Sequence, residues 1–205
     1  MRLSPIAAIL ILAGAVNGAV NGANSAKQTV SDIVALTDLS SKTEDIAKSI
    51  HAINVKVKAP QLISNFKEIN HMLTNEIYPG SKRNLHAREE GLNIEDPSEV
   101  LDRWDVKKRQ SGAYSEHDQK AVCSAFATFV QVQHQLLRTV VDKHDLIELT
   151  SEYRQVGGVL RTLEAGVDKL VHGILDHIPT CAEDVTKNKT SFDESLINAE
   201  DKYSR

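Results

Sequence analysis

Aromatic residues are scarce: phenylalanine, tyrosine and tryptophan together make up only 4% of the 205 residues. Any core built from this chain is therefore mostly aliphatic. Cysteine is scarcer still. There are two, Cys123 and Cys181, and with no Cys-x-x-Cys spacing a redox motif or zinc site has no support. No stretch shows the sustained two-residue alternation of a half-buried strand. A net charge of -4 gives no basic excess, which makes nucleic acid a poor partner. There is no Gly-x-Ser-x-Gly elbow, no phosphate loop and no dinucleotide fingerprint, so no enzymatic activity is expected. The eight histidines are singles. None form a His-x-x-x-His pair, so neither a metal nor another cofactor is expected.

The N-terminus carries the first positive signal. Met1 and Arg2 precede an apolar run from Ile6 to Val16, followed by the small-residue repeat Ala-Val-Asn-Gly-Ala-Val-Asn-Gly-Ala. That order is the layout of a secretory signal peptide. The run is shorter than the ~20 residues that span a bilayer. The expected leader is 1–18, with cleavage after Gly18 or as late as Gly22. No later segment is long and apolar enough to cross a membrane, so the mature chain is expected outside the cell, without a transmembrane segment.

Beyond the leader, apolar residues recur at helical spacing. The first stripe is Leu36, Leu39, Ile46, Ile50, Ile53 and Val57, with Val30 and Ile33 upstream, and Pro60 is expected to interrupt it. The second is Leu62, Phe66, Ile69, Leu73 and Ile77, ending at Pro79-Gly80. The third is Val122, Phe126, Phe129, Leu136 and Val140, with Ser115 and Asp118 as a capping pair. The fourth runs from Tyr153 through Val156, Leu160, Leu163, Val167 and Leu170 to Ile174. The fifth is Val185, Phe192, Leu196, Ala199 and Tyr203, with Thr180 and Glu183 as its expected cap. Five amphipathic stripes predict an all-α antiparallel bundle, a single domain over 27–205.

In a secreted chain two cysteines predict one disulfide. The third and fourth helices, read as an antiparallel hairpin, bring Cys123 and Cys181 to the same end. Residues 80–114 interrupt the bundle. Seven acidic and seven basic residues with little apolar content read as a long, flexible, solvated connection between helices two and three. Asp96, Pro97 and Glu99 could open a short helix within it, with Trp104 on its apolar face. Lys107-Lys108-Arg109 is either a dibasic processing site or a plain charge cluster. Asn188-Lys189-Thr190 is the one glycosylation sequon, and Lys187 and Lys189 beside Asn188 suggest an exposed turn of the fifth helix. Four glycines, Gly157, Gly158, Gly166 and Gly173, sit inside the fourth helix. They allow either close helix approach or a groove beside the aliphatic stripe.

Several segments resemble the fungal hydrophobic surface-binding protein A family, which includes cell-wall galactomannoproteins. They are Val122-Cys123-Ser124-Ala125-Phe126, Leu136-Leu137 with Lys143-His144, Val159 through Glu164, Val167-Asp168 and Ile178-Pro179-Thr180-Cys181. The opening Thr29-Val30-Ser31-Asp32-Ile33 is also similar. The resemblance implies a secreted, non-enzymatic protein of the cell wall or medium. It also implies binding to hydrophobic surfaces or to fatty acids held inside a five-helix bundle, and recruitment of a secreted hydrolase to a surface. On that reading the candidate ligand-cavity residues are Phe66, Ile69, Leu73, Phe126, Phe129, Leu163, Leu170 and Ile174. The 80–114 insertion is longer than the family connection. It supports a second reading, an effector or structural cell-wall protein that binds a partner protein through this segment.

Overall fold

The computed structural model describes residues 25–76 and 112–204. The leader, Ile77 with Pro79-Gly80, the tripeptide Lys107-Lys108-Arg109, Trp104 and nearly all of the insertion lie outside the described residues.

The described chain is all-helical. Helix α1 spans Ala26–Lys48, α2 Val55–His71, α3 Glu116–Asp142, α4 His144–Glu148, α5 Tyr153–Leu175 and α6 Ala182–Tyr203. A π-helical turn, Met72–Glu76, continues α2. The five long helices are those expected from the five stripes, and α4 is a short addition at the α3–α5 turn. Two starts follow from side-chain capping. Ser25 Oγ accepts from the Gln28 amide at 3.2 Å, and Ser115 Oγ accepts from the Asp118 amide at 3.2 Å. Each satisfies one amide that the first helical turn leaves unpaired.

Successive long helices run in opposite directions, and their contacts close into a ring in the order α1, α2, α5, α6, α3. α1, α3 and α6 point one way, α2 and α5 the other. Cross-links fix these directions. Thr29 Oγ1 lies 3.3 Å from Tyr114 Oη beside the start of α3, and Lys143 Nζ donates to the Ile50 carbonyl at 2.9 Å beyond the ends of α1 and α3. The third and fourth expected helices, now α3 and α5, are therefore not ring neighbours. α6 stands between them, and the simple hairpin expectation is corrected on this point.

The ring encloses a mainly apolar core. All four phenylalanines of the chain, Phe66, Phe126, Phe129 and Phe192, are fully buried, among leucine, isoleucine and valine from every helix. Burying one such side chain contributes roughly 1.5–3 kcal/mol. The scarce aromatic content is thus spent inside. Phe126 and Phe129 pack with ring centroids 6.2 Å apart.

Two sequence expectations fail at helix boundaries. The first stripe does not run on to Pro60. α1 stops at Lys48, the chain turns over 49–54, and Pro60 sits inside α2. Its side chain is on the exposed face, so the carbonyl it leaves unbonded is near water rather than core. The turn is held by Asn54, whose Oδ1 accepts from the His51 amide at 2.7 Å and whose Nδ2 donates to the Ser49 carbonyl at 2.9 Å. Ile53 and Val57, expected on the buried stripe, are 97% and 63% exposed. The three-four spacing continued across a turn by coincidence. The second failure is the cap of α6. Cys181 is the N-cap, without a side-chain bond, and Thr180 is used elsewhere. Its amide and hydroxyl both donate to Gln119 Oε1, at 3.0 and 2.7 Å.

Candidate functional site

The disulfide Cys123–Cys181 is formed, with Cα atoms 6.5 Å apart. It ties the second turn of α3 to the N-cap of α6, at the end where the chain enters α3 and leaves α5. Neighbouring bonds reinforce it. The Tyr114 amide donates to the His177 carbonyl at 3.0 Å, the two rings stack at 5.0 Å, and Gln119 Nε2 donates to the Tyr114 carbonyl at 2.7 Å.

The eight nominated cavity residues all lie in the core with no exposed surface. Phe66, Ile69 and Leu73 come from α2 and its π-turn, Phe126 and Phe129 from α3, and Leu163, Leu170 and Ile174 from α5. The ring brings these helices around one interior. That interior also holds polar groups passed over in the sequence. Gln133 of α3 is fully buried, and its Nε2 donates to Ser40 Oγ of α1 at 2.7 Å. Ser40 in turn donates to the Leu36 carbonyl at 2.7 Å. Gln133 Oε1 has no hydrogen-bond partner among the described residues. A signal for this pair was present: Gln133 falls on the 126, 129, 133, 136 spacing, where an apolar residue would be expected.

The glycines of α5 divide. A Cβ on Gly166 would meet Leu73 Cβ at 2.9 Å, and one on Gly157 would meet the Tyr203 carbonyl oxygen at 2.8 Å. Both permit close helix approach. Gly158 has nothing within 4 Å. It borders an open cleft of about 470 Å³ between α2 and α5, with Lys67, Asn70, His71 and Thr162 among its walls. The buried Asn70 amide spans this joint, donating from Nδ2 to the Val159 carbonyl at 2.9 Å, while its Oδ1 has no partner among the described residues. A smaller cleft of about 220 Å³ includes Pro60, Lys67 and Gln155. None of the eight nominated residues lines either one. The glycine-bordered groove is open and walled mainly by lysine, asparagine, histidine, glutamine and threonine rather than by leucine or isoleucine, so it is not the aliphatic slot that was one reading of these glycines.

Charged groups cluster on the outside. Lys189 Nζ reaches Asp168 of α5 and Asp193 of its own helix, each at 2.6 Å. Desolvation pulls its pKa down, but the hydrogen bonds to Asp168 and Asp193 outweigh this and raise it. Lys189 is thus an inter-helix tie rather than part of an exposed turn, and the sequon residue Asn188 is half-buried in mid-helix. Between α3 and α6, His134 lies 2.6 Å from Ser195 Oγ through Nδ1 and 3.3 Å from Ser191 Oγ through Nε2. Burial pushes this imidazole below 6.5, against an opposing pull from Glu194. On α4, ligating atoms of His144, Asp145 and Glu148 lie within 4.8 Å of one another. His144 Nδ1 is hydrogen-bonded to Asp145 Oδ1 at 2.9 Å, and both acids are exposed, an ordinary arrangement for a short polar helix.

No family model matches the chain, and no curated protein matches it in sequence. In structure the chain is similar to Afmp4p, a fungal mannoprotein, whose crystal structure holds palmitic acid. The TM-score is 0.58 at 12% sequence identity, covering 87% of this chain and 99% of that one. The two share a fold. No described helix is long and apolar enough to cross a membrane.

Proposed function

We propose that this is a secreted, non-enzymatic protein of the medium or cell wall that binds fatty-acyl lipid within its helical ring. The observation that carries the reading is the closed ring of five amphipathic helices around an aliphatic and phenylalanine interior, in a fold shared with a palmitate-bound protein. Such an interior recognises an acyl chain by excluding water, with each buried methylene contributing about 0.8 kcal/mol. Phe66, Ile69, Leu73, Phe126, Phe129, Leu163, Leu170 and Ile174 are the walls that would part around the chain.

Gln133 supports an acyl ligand over a plain hydrocarbon. Leaving a buried acceptor unpaired costs roughly 1–3 kcal/mol. The free Oε1 of Gln133 accepts only, so it suits a protonated carboxyl or a hydroxyl head. Adsorption to hydrophobic surfaces belongs to the same reading, since it uses the same apolar capacity. Nothing in the fold or its likeness supports a hydrolase partner. Leader cleavage and glycosylation at Asn188 complete the proposal.

Native mass spectrometry of the secreted protein tests it. A co-purifying acyl lipid, or retention on apolar beads, is the expected result. A lipid-free protein that also passes through such beads would sink the reading.

A further inference from the structure

The corner between α1 and α2 has no explanation in the core. From Ile46 to Lys67 the sequence contains four lysines and no acidic residue. Within it Ile53 stands 97% exposed on the turn, and Val57 stands 63% exposed on the first turn of α2. Isolated exposed aliphatics are ordinary. These two lie four residues apart, Ile53 on a braced turn and Val57 on the helix that follows it. Besides the two Asn54 side-chain bonds, the Asn54 amide donates to the His51 carbonyl at 3.0 Å, and Lys143, between α3 and α4, anchors the Ile50 carbonyl. The turn therefore holds Ile53 in water with the ordering entropy already spent.

The charges around this corner choose its partner. Lys48 is paired with Glu44 at 2.7 Å. Lys56 and Lys58, on either side of Val57, have no carboxylate within ion-pair distance among the described residues. At the same end Asp145, Glu148 and Glu152 belong to α4 and the turn after it, and Glu152 shares a small cleft with Pro60 and Lys67 on the flank of α2. Aliphatic tips flanked by unpaired lysines match the two layers of an anionic membrane interface: acyl chains beneath, phosphates and carboxylates above.

We propose that the α1–α2 corner is a docking tip that inserts Ile53 and Val57 into an anionic phospholipid bilayer while Lys56 and Lys58 meet its headgroups. Contact of this kind does not depend on an acyl ligand in the ring. Where both hold, the tip places the ring against the membrane from which such a ligand would come.

Co-sedimentation of the full chain with vesicles tests the proposal. One set is phosphatidylcholine alone, the other phosphatidylcholine with phosphatidylserine. The wild type is expected to prefer the serine-containing vesicles and to lose that preference at high salt, as screened charges do. Replacing both lysines (Lys56→Gln with Lys58→Gln) is expected to weaken anionic binding about twenty-five-fold, at about fivefold per lysine. Replacing both aliphatics (Ile53→Ser with Val57→Ser) is expected to weaken it at least about tenfold. Palmitate binding and helical content are read on the same variants and are expected to stay at wild-type levels. The proposal is overturned if the wild type fails to bind serine-containing vesicles, or if either double variant binds them like the wild type. Equal wild-type binding to both vesicle types, unchanged in the lysine variant, would also overturn it and make a neutral apolar surface the partner. Loss of palmitate binding with vesicle binding intact would remove only the acyl-ring reading.

Discussion

The end of the bundle that carries the disulfide and the α1–α2 corner at the opposite end use their residues in opposite ways. At the disulfide end several polar and aromatic groups are spent on neighbours. Gln119 bonds to Tyr114 and Thr180, Tyr114 stacks on His177, and Cys123 is joined to Cys181. At the α1–α2 corner the bonds serve only to shape the turn, and what the turn presents is aliphatic and cationic. One end resists opening and the other is built to meet something. The comparison teaches that a fully exposed isoleucine on a well-braced turn is a different observation from one on a loose loop.

The largest expected effect belongs to the fastened end. Replacing both cysteines by serine opens a loop with a sequence separation of 58 residues. The chain-entropy account predicts a loss of about 4 kcal/mol. Urea denaturation of the oxidised protein and the double variant measures it, and unchanged stability would dissolve the contrast between the ends. Next comes Gln119→Ala, which strips an acceptor from the Thr180 amide and hydroxyl. We expect a loss of roughly 1–3 kcal/mol in the same titration.

Between the ends, two glycines on one helix should behave oppositely. Gly166→Ala drives a methyl against Leu73 and is expected to destabilise by about 1–3 kcal/mol. Gly158→Ala meets nothing and should stabilise by up to about 1 kcal/mol through helix propensity alone. Thermal melts of the pair sharpen the claim that only some of these glycines serve packing.

A smaller effect depends on pH. His134 has a folded pKa below the unfolded value, so burial favours its neutral form. The associated stability is complete above about 6.5, the usual histidine value. It declines as the pH falls through that value toward the folded pKa. The acid-side fall in melting temperature is therefore expected to be shallower in His134→Asn, and an identical fall in both proteins would contradict it. Smallest of all, Ile53→Ser with Val57→Ser should alter stability by no more than about 0.5 kcal/mol, because neither side chain is packed. A large loss there would mean that the corner belongs to the core after all.

Most of the fold was legible because each long helix keeps one clean apolar stripe. In α5, Val156, Leu160, Leu163, Val167, Leu170 and Ile174 are all fully buried as the spacing implies. The α1–α2 corner was not legible. Ile53 and Val57 continue the spacing of the stripe before them, and only the backbone turn at 49–54 turns them outward. Thr180 looked like a helix cap because a threonine three residues before a glutamate fits that pattern. Tertiary bonding to Gln119, 61 positions away, took it instead. The eight cavity positions were readable as inward-facing. Ser40 and Gln133, which add polarity to that interior, were not legible, because apolar spacing does not mark a polar residue on a buried face. The ring order, with α6 between α3 and α5, depends on which stripes face each other, and no single stripe encodes that.

Calorimetric titration of the delipidated full chain with palmitate, repeated at several temperatures, tests the central claim most directly. Saturable binding with a negative change in heat capacity, the mark of apolar burial, is expected. Absence of saturable heat at every temperature, with the protein still folded, would contradict it.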